Sequence, residues 1–271
     1  MSQSAFPAHT VRVRGTELSF TDEGQGPPVL LVHGHAYDRS LWDAQVRTLV
    51  AGGWRALAPD LRGFGDSEVT EGIVYTEEFA ADLAALLDAL GLETVVLLGF
   101  SMGGQIAMQL LASHPERVRA LVVSDTVPHA EDAAGRRRRH VTADRMVRDG
   151  MAAYASSVLP VMIREQNVER LPEVARAVAE MIRSAPLTGA TAAMRGRAER
   201  ADFTETLRGW DGPALVVVGS DDAFDGGAAR TMAELLPRGE LAVVPESGHT
   251  PNLENPAAYD AALLGFLDGL A

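Results

Sequence analysis

The residues most suited to chemistry in this chain are a serine, two late acids and a late histidine. Ser101 sits in Gly99-Phe100-Ser101-Met102-Gly103-Gly104, between the apolar run Thr94 to Leu98 and the helix-forming run Met102 to Ala112. A strand passing through a glycine-flanked serine into a helix is the context a nucleophile elbow needs, since small neighbours let the turn hold the hydroxyl clear of the backbone. Such a motif arises by chance in a chain with 26 glycines, so its partners decide the reading. A serine hydroxyl is a poor nucleophile at neutral pH; it needs a base to take its proton and an acid to orient that base. Val216-Val217-Val218-Gly219-Ser220-Asp221-Asp222 ends one strand-like run in acids, and Val243-Val244-Pro245-Glu246-Ser247-Gly248-His249 ends the next in a histidine. Asp125, in Ser124-Asp125-Thr126, ends a third run and is a further candidate acid. α/β sheets keep their sites at such strand ends.

The elements that must place these residues follow from periodicity. Thr10 to Arg14 and Leu18 to Thr21 alternate like a hairpin, and Gly24 to Pro28 breaks the chain before the strand Val29 to Val32. Then come a helical stretch over Leu41 to Val50, a strand at Arg55 to Ala58, a helix over Glu77 to Leu90 closed by Gly91, and the elbow with its helix. Strand Val118 to Ser124 follows. From about Pro128 to Arg208 no strand-like run occurs, only helix-prone stretches punctuated at Gly150, Pro160, Pro172, Pro186 and Gly189. Alternation resumes with Ala214 to Val218, Ala228 to Leu236, Glu240 to Val244 and a last helix from Asn255. This pattern predicts an α/β fold with a mostly parallel sheet, a core of residues 1–127 and 206–271, and a helical cap over 128–205.

With these motifs the chain resembles the α/β-hydrolase family almost from end to end. The resemblance is carried by VLLVHGH at 29 to 35, APDLRGFGDS at 58 to 67, GFSMGG at 99 to 104, HPERVRALVVSDT at 114 to 126, VVVGSDDAF at 216 to 224 and SGHTPNLENP at 247 to 256. It implies the family order of serine, acid and histidine. It maps the acid, three residues after the strand-ending glycine, onto Asp222, with Asp221 and Asp125 as rivals, and the base onto His249. An oxyanion hole is implied from the backbone N–H groups of Met102 and His35. The His35 ring either touches substrate or faces solvent, and His33 is expected to be a structural hydrogen-bonding residue. Serine rather than aspartate at position 101 separates the chain from the dehalogenases and epoxide hydrolases of this fold. Within the family it looks most like 3-oxoadipate enol-lactonases and small carboxylesterases. A serine nucleophile favours ester or lactone cleavage through an acyl-enzyme. An acyltransferase, thioesterase, C–C bond hydrolase or lyase on the same residues, or a ligand receptor on a hydrolase core, would share the motifs.

Composition narrows the choice further. The 271 residues are 46% hydrophobic and contain no cysteine, which removes disulfides, thiolate catalysis and Cys-based metal sites. All 24 basic residues are arginine, so Schiff-base chemistry is absent as well. A net charge of −13 disfavours nucleic acid and anionic membranes as partners. The expected partner is a small-molecule acyl substrate, with no cofactor and no metal. Arg136 to Arg139, beside Glu131 and Asp132, is expected to be a solvated helix start. Met146, Met151, Met162, Met181 and Met194 of the cap are candidates to line an adaptable apolar cavity. The opening MSQSAFPAHTVRVRG lacks a continuous apolar run and no later segment is long enough for a membrane span, so a cytoplasmic enzyme is expected.

Overall fold

A computed structural model describes residues 4–270; residues 1–3, within the segment read for a signal sequence, lie outside it. The first strands are β1 (His9–Val13), β2 (Thr16–Glu23) and β3 (Pro28–Val32). A short 3-10 turn leads into α1 (Asp43–Ala51), followed by β4 (Arg55–Pro59) and α2 (Thr76–Ala89). Next come β5 (Val95–Phe100), α3 (Met102–Ser113) and β6 (Val118–Ser124). Five helices then run without a strand: α4 (Ala133–Met162), α5 (Glu165–Arg170), α6 (Pro172–Ser184), α7 (Leu187–Arg197) and α8 (Thr204–Arg208). The chain returns through β7 (Ala214–Gly219), α9 (Ala228–Leu235), β8 (Gly239–Val244), α10 (Pro251–Glu254) and α11 (Pro256–Asp268).

The eight strands form one sheet in the order β1-β2-β4-β3-β5-β6-β7-β8. β2 is antiparallel to both its neighbours and every other pair is parallel. Every residue of β5 and β7 is buried, which is why these strands read as unbroken apolar runs rather than as alternation. Each fully buried Val or Leu contributes about 1.5–3 kcal/mol relative to exposure. The chain leaves β3 toward β4 on one side and later returns to β5 on the other. That reversal opens a crevice beyond the carboxyl ends of β3 and β5, where ligands of such sheets bind. Ser101 follows β5 and His35 follows β3, so topology alone puts both at this crevice.

In the strand-free segment α4 packs against α6 and α7, while α7 also meets α2. α4 is two helices joined at Gly150, whose φ of 82° and ψ of 168° interrupt the helical path. Pro172 opens α6, and Pro186 precedes α7, as expected of helix-start prolines. Gly189 departs from the expectation of a break: it lies inside α7, and a Cβ there would stand 1.9 Å from the Gly63 carbonyl oxygen. It is glycine because the helix lies directly on the core loop. Among the described residues no helix is long and apolar enough to cross a membrane.

Candidate active site

The elbow is a backbone device before it is a chemical one. Ser101 has φ 53° and ψ −113°, a conformation costly for a side chain with a Cβ and sustained only where packing imposes it. The packing here leaves no room for relaxation: a Cβ on Gly103 would lie 2.1 Å from the carbonyl oxygen of Val32, so α3 starts in contact with the end of β3. The Thr126 hydroxyl donates to the Ser101 carbonyl at 2.7 Å, and the Ser101 N–H is held by the Ser124 carbonyl at 2.9 Å. Because α3 begins at Met102, the Met102 N–H is one of the first-turn donors with no partner inside the helix.

Three loops converge on the hydroxyl. His249 Nε2 lies 3.0 Å from Ser101 Oγ, and its Nδ1 lies 3.0 and 3.1 Å from the two carboxylate oxygens of Asp222. The carboxylate can only accept, so Nδ1 carries the proton and Nε2 is left as the acceptor for the serine proton. Phe100 and Phe224 flank the imidazole, with ring centroids 5.2 and 4.8 Å away. Glu254 fixes the loop, since its carboxylate accepts the Gly248 N–H and the Arg164 N–H, both at 2.9 Å. The same side chain therefore ties the histidine loop to the start of α5.

The rival acids have other partners. Asp221 is exposed and faces Arg164 at 3.2 Å. Asp125 is buried; it accepts the Gly219 N–H at 2.9 Å and the Ser124 hydroxyl at 2.6 Å. Burial first, and then the Asp222 charge, push the Asp125 carboxyl well above the usual range. Asp125, Asp222 and His249 bring their potential ligand atoms within 4.8 Å of one another. For a metal this donor set is poor, because both His249 nitrogens and both Asp125 oxygens are already engaged.

Burial keeps the two early histidines neutral. His33 accepts the Leu61 N–H at Nε2 (2.9 Å) and donates from Nδ1 to the Gly34 carbonyl (2.8 Å), and burial lowers its pKa to about 4. It is the structural residue the sequence suggested. The His35 ring is not solvent-facing. Its Nε2–H donates to the Ala190 carbonyl of α7 at 2.8 Å, and the Tyr154 hydroxyl approaches Nδ1 at 3.4 Å. Burial first, then the Arg197 charge, bring its pKa down to about 3. The ring is thus a neutral strut between β3 and the helices above it.

A cavity of about 490 Å³ opens onto Ser101 and His249, with Gln105, Tyr154, Met162 and Arg197 in its wall. Of the five candidate methionines, Met162 and Met194 reach this wall; Met146 and Met151 are buried in the core cluster and Met181 packs at its edge. The arginine run divides: Arg136, Arg137 and Arg138 are exposed, whereas Arg139 turns inward and pairs with Glu131 at 2.7 Å. Sequence reasoning missed Arg197, Arg200 and Gln105, because nothing in a helical pattern tells which of many arginines points inward.

A mostly parallel sheet carrying an elbow serine at its switch point defines an enzyme of the hydrolase type. The chain belongs to the α/β-hydrolase fold family, whose profile matches residues 27–256. It is similar to a thermophilic esterase from Thermogutta terrifontis, determined with malate bound, at 36% identity and a TM-score of 0.93 over 97% of this chain and 99% of that one. It is similar also to an enol-lactonase from Burkholderia xenovorans, at 26% identity and a TM-score of 0.88 over 96% and 100% of the two chains. Among curated relatives, a non-heme haloperoxidase from Rhodococcus erythropolis is 29% identical over 94% of this chain and 97% of its own.

Proposed function

We propose that the protein is a serine hydrolase that cleaves a carboxylic ester or lactone through an acyl-enzyme on Ser101. The observation that carries this reading is the pair of contacts made by His249, 3.0 Å to the Ser101 hydroxyl and 3.0 Å to Asp222. In the first half, Ser101 Oγ attacks the substrate carbonyl carbon and its proton passes to His249 Nε2. The imidazolium is stabilised by Asp222, and the backbone N–H groups of His35 and Met102 receive the developing oxyanion. Collapse expels the alcohol, which takes the proton back from Nε2. In the second half, water attacks the acyl-enzyme by the same proton route and releases the acid. The segment 128–205 acts as the cap that shapes the pocket for a small acyl substrate. The esterase and enol-lactonase likenesses support the substrate class.

The test is a fluorophosphonate probe followed by peptide mass spectrometry, alongside turnover of short esters, lactones and thioesters. The expected adduct lies on Ser101, and Ser101→Ala should lose both labelling and turnover. Labelling elsewhere, or a Ser101→Ala enzyme with more than a few per cent of the parent rate, would overturn the assignment. Preferred turnover of thioesters would move the protein to that neighbouring class.

A further inference from the structure

The cavity above Ser101 has two chemically different ends. At the Gln105 end its wall is charged, with Glu131, Arg138, Arg139, Arg197 and Arg200, and Arg197 is bonded to Gln105 at 2.9 Å. At the His249 end it is apolar, built from Val158, Val161, Met162 and Phe224. The three α4 residues fall at i, i+3 and i+4 and so share one face of its last turns. That part of the chain rests on the histidine loop: the Thr250 hydroxyl donates to the Met162 carbonyl at 3.1 Å, and a Cβ on Gly248 would lie 2.5 Å from the Arg164 nitrogen.

Phe224 is fixed in place although it is 48% exposed. Asp222 Oδ1 accepts the Phe224 N–H at 3.0 Å and the His249 Nδ1–H at 3.0 Å. One carboxylate oxygen therefore sets both the imidazole and the residue whose ring stands against it, with centroids 4.8 Å apart and planes at 67°. Val161, also exposed, lines the same end. Apolar side chains left partly in water at a cavity rim are stabilised when an apolar group covers them. The proton route determines which part of the substrate does so. His249 Nε2 hands its proton to the leaving oxygen, which must come within roughly 2.6–3.2 Å of that nitrogen. The alcohol's substituent then lies at the His249 end, while the acyl carbon stays on Ser101.

We propose that Phe224, with Val161 and Met162, forms the site for the alcohol half of the substrate, and that the preferred leaving group is an apolar, aromatic alcohol. Its ring would pack edge-to-face or offset on Phe224 and against the Met162 sulfur. This rests on the hydrolase reading, and the experiment separates the two. Benzyl acetate and methyl phenylacetate are isomers that carry the phenyl ring on opposite sides of the ester. In the parent enzyme kcat/KM, which covers the step that expels the alcohol, should favour benzyl acetate by about tenfold or more, the scale of burying most of one aromatic ring. The ratio should fall toward one in Phe224→Ala and be partly kept in Phe224→Leu; losses common to both isomers, such as a displaced His249, cancel in it. Should Phe224→Ala fail to fold, Val161→Asp serves instead, because a charge at the same end should lower the ratio likewise. A parent ratio of one or below, an unchanged ratio in the variant that folds, or no turnover of either isomer beside normal fluorophosphonate labelling of Ser101 overturns the alcohol site and leaves the hydrolase standing. If Ser101 does not label at all, the hydrolase reading falls and the alcohol site with it.

Discussion

Asp222 and Asp125 end neighbouring strands and approach each other closely, yet only Asp222 is bonded to His249. Asp125 spends its oxygens on a backbone N–H and a serine hydroxyl. Asp222→Asn should therefore leave His249 in the wrong tautomer and lower kcat by about 10⁴. Asp221→Asn weakens an exposed pair with Arg164 and an exposed contact with the Ser220 hydroxyl, the pair worth about 0–1 kcal/mol, and should barely change kcat. Steady-state kinetics on one activated ester ranks the three variants. A crippled Asp125→Asn beside a working Asp222→Asn would reverse the assignment.

Gly103→Ala tests the elbow as a packing constraint. The new Cβ would meet the Val32 carbonyl oxygen at 2.1 Å, and backbone on both sides cannot yield as a side chain could. The expected cost is about 3 kcal/mol, a fall in Tm of roughly 10 °C. Gly265→Ala is the contrasting case, since a Cβ there meets nothing within 4 Å in an exposed turn of α11. It should stabilise by about 0.5–1 kcal/mol. Thermal unfolding of both variants checks the prediction.

Glu131 supplies a pH dependence. Burial opposes its ionisation, but Arg200 and Arg139 outweigh burial and hold the carboxyl down at about 2, against an ordinary value of 4.5. A folded-state pKa below the unfolded one means that the contribution is complete above pH 4.5 and is lost as pH falls toward 2. Solvent screening of this partly exposed carboxylate reduces its size to on the order of 1–2 kcal/mol. Glu131→Gln should thus have a lower Tm than the parent at neutral pH, and the two curves should converge in acid. A gap that stays constant from pH 7 to the acid limb would show that the carboxylate charge contributes nothing.

His35→Phe removes the imidazole donor to the Ala190 carbonyl, a second bond on an oxygen that lies inside α7. The expected loss is about 0.5–1.5 kcal/mol of stability. Because the proposed oxyanion donor is the backbone N–H, kcat should fall far less than in Asp222→Asn. A loss comparable with that variant's would place the ring itself in the chemistry.

Much of this molecule follows from local sequence alone. The apolar runs Thr94 to Leu98 and Ala214 to Val218 read as interior strands, since an all-apolar strand needs both faces covered, and they fall on β5 and β7, whose residues are all buried. The glycines around Ser101 marked a turn that no larger residue could make, and Gly219 and Gly248 placed an acid and a histidine at strand ends. Alternation of strand and helix then dictated a mostly parallel sheet, and its interruption located the helices between β6 and β7. Those signals are local, a matter of period, volume and backbone freedom within a dozen residues.

The choices between near-equivalent side chains were not local. Asp221 and Asp222 are adjacent in the chain, and only the path of the loop after β7 sends one toward His249 and the other toward Arg164. The His35 ring was equally compatible with solvent or substrate until α7 brought the Ala190 carbonyl to it across 155 residues. Arg139 and Arg197 carry the same guanidinium as their exposed neighbours; what distinguishes them is their partly buried position against Glu131 and Gln105 in the cavity wall. Periodicity fixes which elements form, whereas the direction in which a side chain points, and hence its charge environment, depends on surfaces that meet only when the chain has folded.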